Sequence, residues 1–136
     1  MEAKVAVITL VVENQEAALK FYTEKVGFEK KTDYTPPGNN RWVTVAPKGQ
    51  DLEFALFQAG SNDPNGWSNN WHPGNNPPIV LRVGDCKKVF AELKARGVEF
   101  KQAQPEEYAW GISATFADPD GNLFSINQLP SASTWS

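Results

Sequence analysis

Residues 5–29 read VAVITLVVENQEAALKFYTEKVGFE, and that stretch decides the architecture. Residues 5–12 are an almost continuous run of β-branched and aliphatic side chains, which predicts a strand buried on both faces. Asn14 has the side chain to cap a helix, and Ala18, Phe21, Tyr22 and Lys25 fall on one face of it. Gly27 supplies a left-handed stop, and Phe28 opens the next extended run. The same order returns in residues 79–100, IVLRVGDCKKVFAELKARGVEF. There Asp85 is the cap, Cys86, Val89, Phe90 and Leu93 take positions i, i+3, i+4 and i+7, and Gly97 is the stop. Val11 through Asn14 to Phe28 lies over Arg82 through Asp85 to Val98 at an offset of about 70 residues. Internal duplication is the economical reading.

Working outward, strands are predicted over residues 28–34, 41–46 and 51–57, separated by turn clusters at 36–40 and 47–49. The second copy continues with strands over 98–102, 111–117 and 123–128, a loop over 104–108, and a tight Asp118-Pro119-Asp120-Gly121 hairpin turn. The whole is an α+β chain of two βαβββ repeats. Module one spans about 4–58, a linker 59–77, module two about 78–129, and a loose tail 130–136 in which Trp135 is expected to tuck against the body. The linker is built of Asn, Gly, Pro and Ser, yet it carries Trp67 and Trp71. Leaving both rings in water forgoes roughly 2–3 kcal/mol each, so they are expected to bury at a cleft mouth or a dimer contact.

Composition removes several function classes. The formal charge is −3 and the basic residues are scattered, so neither nucleic acid nor an anionic membrane surface is an expected partner. The apolar run at 5–12 is too short to span a bilayer. One cysteine, Cys86, rules out an internal disulfide and suits a reducing cytoplasm; its place on the apolar helix face makes it core. One histidine, His72, excludes any site needing two imidazoles from one chain.

The run FYTEKVGFE (21–29), the strand opening Arg41-Trp42, the Trp110-Gly111 pair and the closing ADPDGN (117–122) resemble the vicinal oxygen chelate superfamily. That group includes glyoxalase I, ring-cleaving dioxygenases, fosfomycin resistance proteins and bleomycin-binding proteins. The resemblance, which runs from about Val5 to Gln128, implies sheets curled around a cleft and a homodimer. It also implies, in the family's enzymes, a divalent metal held by His or Gln, Glu, His and Glu. Carried over by spacing, those four positions fall on Val7, Ala55, Pro78 and Ser125. Three have no ligand side chain, and a serine hydroxyl is a poor ligand for Mg²⁺, Zn²⁺ or Fe²⁺. No metal, cofactor or catalytic residue is therefore expected.

The antibiotic-sequestering members of the family imply another use of the cleft, binding a flat or amphipathic molecule between aromatic walls. The expected ligand contacts are Thr9, Trp42, Glu53, Phe57, Trp67, Trp71, Trp110 and Ser125. Each has a plainer reading: a strand tryptophan as core, Glu53 in a rim salt bridge, His72 as a solvated loop residue, Arg82 as a surface residue near a strand end. The Asp118–Gly121 turn reads as turn chemistry rather than a calcium loop. The leading expectation is metal-independent binding of a small aromatic or amphipathic molecule. The alternatives are a superfamily lyase or isomerase, of the lactoylglutathione-lyase kind, with a non-standard site, and a closed-cleft dimerisation or protein-interaction module.

Overall fold

The computed structural model describes residues 1–61, 63–74 and 76–131. The chain divides into two units, 1–74 and 75–136, each a four-stranded sheet with a helix on one face. Its class is α+β, two βαβββ arrangements in sequence.

In the first unit β1 (Val7–Val12) leads through Asn14 into α1 (Gln15–Lys20), and the Asn14 side chain accepts the Ala17 N–H at 2.9 Å. The helix then widens into a π-helical segment, Phe21–Val26, closed by Gly27 at φ 90°. Thr23 Oγ1 donates to the Leu19 carbonyl at 2.7 Å, a back-bond of the kind that loosens the α ladder. The wider pitch alters the buried face. Val26 turns inward and Lys25 outward, where an ideal helix would have placed Lys25 with Phe21 and Tyr22. Strands β2 (Glu29–Tyr34), β3 (Trp42–Ala46) and β4 (Glu53–Gln58) follow, and the sheet order is β1-β4-β3-β2, with β1 and β4 parallel. Leu10, Val12, Val43, Val45, Phe54 and Leu56 are buried. Tyr22 stacks on Phe28 and Phe28 on Phe54, with centroids 5.8 and 6.0 Å apart. β1 itself alternates: Leu10 and Val12 are buried, Val7 and Thr9 exposed, so it is not covered on both faces within this chain.

The second unit repeats the plan with β5 (Ile79–Arg82), α2 (Cys86–Ala95), β6 (Glu106–Tyr108), β7 (Gly111–Ala117) and β8 (Leu123–Gln128), ordered β5-β8-β7-β6 with β5 and β8 parallel. Asp85 caps α2 by accepting the Lys88 N–H at 3.1 Å. Cys86, Phe90 and Leu93 pack inward, and burial pushes the Cys86 thiol pKa up. Residues 98–102, expected as a strand, make only an isolated bridge, Phe100 to Phe116. The Gln102 side chain takes the Thr115 N–H at 2.8 Å, the donor a continuing ladder would need. The edge strand forms later instead, over Glu106–Tyr108, where a loop was expected. At the β7–β8 turn Asp118 Oδ1 accepts from the Asp120 and Asn122 N–H groups, and Oδ2 from the Asn122 amide. That carboxylate is spent on the turn. Trp135 lies outside the described residues, and no described helix is long and apolar enough to cross a membrane.

Candidate ligand-binding site

Period-two alternation gives each sheet an open face opposite its helix. In the first unit that face carries Thr9 and Val7 from β1, Glu53, Ala55 and Phe57 from β4, and Trp42 and Thr44 from β3. Thr44 Oγ1 donates to Glu53 at 2.5 Å, so the carboxylate is already engaged. Trp42 is paired in register with Tyr34, and both are exposed. Trp71 meets Phe57 edge-on with centroids 5.2 Å apart. Trp67 is 79% exposed, so this chain does not bury its ring. The linker is shaped by Asp63, whose carboxylate accepts from the Ser68 N–H and hydroxyl and the Asn65 N–H, which holds its pKa below the usual value. His72 is exposed.

The open face of the second unit is hollowed into a recess of about 430 Å³, lined by Pro78, Val80, Arg82, Trp110, Ser113, Ser125 and Asn127. Ser125 hydrogen-bonds Thr115 across β7 and β8 at 2.8 Å. Trp110 stacks on Tyr108 with centroids 4.6 Å apart and planes within 6°, and both rings stay exposed. Interaction with the nearby Glu106 carboxylate raises the Tyr108 hydroxyl pKa. Gly111 makes the bend behind Trp110 at φ 129°, where a Cβ would lie 2.0 Å from the Gln128 carbonyl oxygen. Of the expected contacts, the structure gathers Thr9, Trp42, Glu53 and Phe57 on one open face with Trp71 against it. Trp110 and Ser125 line the recess of the other unit, and Trp67 stands apart. Sequence reasoning missed Asn127 and Ser113 and set Arg82 aside as surface; the missed signal was that Asn127 shares Ser125's strand parity.

Residues 4–126 match the family model of the Glyoxalase/Bleomycin resistance protein/Dioxygenase superfamily. The chain belongs to that superfamily. It is similar to the YurT protein of Bacillus subtilis, 35% identical with 92% of this chain and 98% of that one covered. Among solved structures it is similar to TnmS3 from Streptomyces, an antibiotic binding protein, at 35% identity, a TM-score of 0.78 and 95% and 98% coverage. A superfamily member from Sphaerobacter thermophilus gives 35% identity, a TM-score of 0.79 and 93% and 98% coverage.

Membership raises the question of the superfamily's metal, and the donor positions do not fit one. Val7 and Ala55 are apolar, Pro78 offers no side-chain donor, and the Ser125 hydroxyl is occupied by Thr115. Glu53, the nearest carboxylate to Ala55 along β4, is held by Thr44. Among the described residues no group of three or more His, Cys, Asp or Glu side chains is placed to hold a metal ion.

Proposed function

We propose that this protein binds a small, planar aromatic or amphipathic molecule without a metal, with sequestration of that molecule as one use. The observation that carries this reading is the Tyr108–Trp110 stack beside the recess. Two coplanar rings left exposed next to a hollow with polar handles form a stacking wall, and an isolated globular unit gains nothing by displaying them. On the open face of the first unit, taken by itself, Thr9, Trp42, Glu53, Phe57 and Trp71 form a second set of contacts, while Trp67 stands apart from them and suits a dimer contact. The description of TnmS3 as an antibiotic binding protein agrees with the reading. The reading includes a homodimer, since Val7 and Trp67 are exposed apolar groups that a second copy would cover. A cytoplasmic setting goes with the single buried thiol of Cys86.

Tryptophan fluorescence tests it. A planar aromatic ligand should quench emission, and Trp110→Ala should weaken binding by about 1–3 kcal/mol, the scale of one aromatic contact with its apolar burial. Prior treatment with a chelator should leave the wild-type affinity where it was. An affinity abolished by chelation and restored by a divalent ion would overturn the metal-independent part. A Trp110→Ala protein that binds every aromatic ligand as wild type would overturn the site.

A further inference from the structure

We propose that the recess of the second unit is an acid-recognising subsite, in which Arg82, Asn127 and Ser113 receive a carboxylate carried on the ring that stacks with Trp110. The inference rests on the aromatic-binding reading and adds the charge of the ligand. Arg82 is in register with Asn127 on the parallel ladder, and Asn127 with Ser113 on the antiparallel one. The three side chains therefore form one row across adjacent strands, and all three line the recess. Asn127 is 6% exposed, yet its amide has no hydrogen-bond partner among the described residues. The Arg82 guanidinium and the Ser113 hydroxyl have none either.

The neighbouring row shows the contrast. Val80, Ser125 and Thr115 are aligned in the same way, and there the two hydroxyls satisfy each other at 2.8 Å. Buried polar side chains are normally partnered inside the fold, so an amide left open on the recess is kept for something from outside it. Its neighbours define what that is. Arg82 offers only donors, in a planar fork, and Asn127 and Ser113 add donors beside it. Two coplanar oxygens sharing a negative charge match that fork in bidentate fashion. The acidic residue at the end of the row, Glu106, is in register with Ser113 and makes no ion pair with Arg82 among the described residues. Trp110 stands on the same recess and gives the attached ring its wall.

Isothermal titration with 2-naphthoate and its neutral counterpart 2-naphthamide, at low ionic strength, separates the possibilities. Wild type should bind the acid about tenfold or more tighter than the amide, the effect of a charge-assisted pair over a neutral one. In R82Q the ratio of the two affinities should fall to about one, and Arg82→Lys should restore part of it. Arg82 is an exposed residue at a strand end, and circular dichroism checks that R82Q keeps its fold. Equal binding of the two probes by wild type, or a ratio unchanged in R82Q, overturns the subsite and leaves aromatic binding standing. Failure of wild type to bind either probe overturns both.

Discussion

The two units share a skeleton and differ on their open faces. Each has its first strand parallel to its last, a helix capped by an Asn or Asp side chain, and aromatic rings packed beneath the helix. Tyr22, Phe28 and Phe54 do this in one unit, Phe90, Phe100 and Phe116 in the other. On the open faces the correspondence ends. The first unit sets Glu53 against Thr44 and lays Trp71 on Phe57, while Trp42 and Tyr34 stay exposed. The second leaves Arg82, Asn127 and Ser113 unpartnered among the described residues, under an exposed ring pair. The helix-side core answers to folding and tolerates little change, whereas on the opposite face only the residues around the buried Thr44, Ala55, Ser125 and Asn127 are exposed and free to take on recognition.

The comparison breaks most sharply at Gly111, whose bend gives Trp110 its place at the recess. A methyl group there would meet the Gln128 carbonyl oxygen at 2.0 Å and would occupy a backbone conformation that L side chains rarely adopt. Gly111→Ala should therefore cost roughly 3 kcal/mol or more in a denaturant titration. A loss under about 1 kcal/mol would mean that β7 and β8 yield there, and that the recess is softer than its register implies.

A smaller effect is expected from the linker tryptophans of the first unit. Trp71→Ala removes the ring edge from Phe57 and should weaken a planar aromatic ligand by about 1–3 kcal/mol with the association state unaltered. Trp67 has no such ring beside it among the described residues, and Trp67→Ala should instead move the sedimentation profile toward monomer. Should neither substitution alter binding or sedimentation, the linker is a passive connector and recognition belongs to the second unit alone.

The elements and faces of this fold are written in the chain at short range. The caps Asn14 and Asp85, the stops Gly27 and Gly97, and the strand parity that sets Thr9, Glu53 and Phe57 on one side all depend on neighbours a few residues away. What escaped was set by contacts across the sheet or by pitch. Lys25 and Val26 exchange places because the helix widens, and a 3.6-residue period cannot show that. Residues 98–102 fail to form a strand because Gln102 spends its side chain on Thr115, a partner that only the register reveals. Arg82, Asn127 and Ser113 lie on three different strands, and each alone reads as an ordinary polar residue. Their alignment is a fact of pairing.

The smallest expected effect separates the two edge hairpins by pH. In the first unit Arg41 forms a bidentate pair with Asp33, at 2.8 and 2.7 Å, and reaches Glu16 at 3.0 Å, tying the β2–β3 hairpin to α1. The hydrogen bond from Arg41 holds the Asp33 pKa below the usual carboxylate value. A depressed folded-state pKa means that the pair's stabilisation is complete above the unfolded value of about 3.9 and is lost as pH falls through the lower folded value. The pair is only partly shielded, so its contribution is about 0–1 kcal/mol. The β6–β7 hairpin of the second unit carries the Tyr108–Trp110 stack and, among the described residues, has no such pair to lose. Asp33→Asn should therefore lower stability by up to about 1 kcal/mol near pH 7 and make no difference at the lowest pH at which wild type stays folded. Protection of backbone amides against hydrogen exchange, corrected for the intrinsic rate, should drop in β2 and β3 and stay level in β6 and β7. A deficit that persists unchanged into acid would show that the carboxylate's charge is not what holds the hairpin, and that Asp33 acts there through its shape alone.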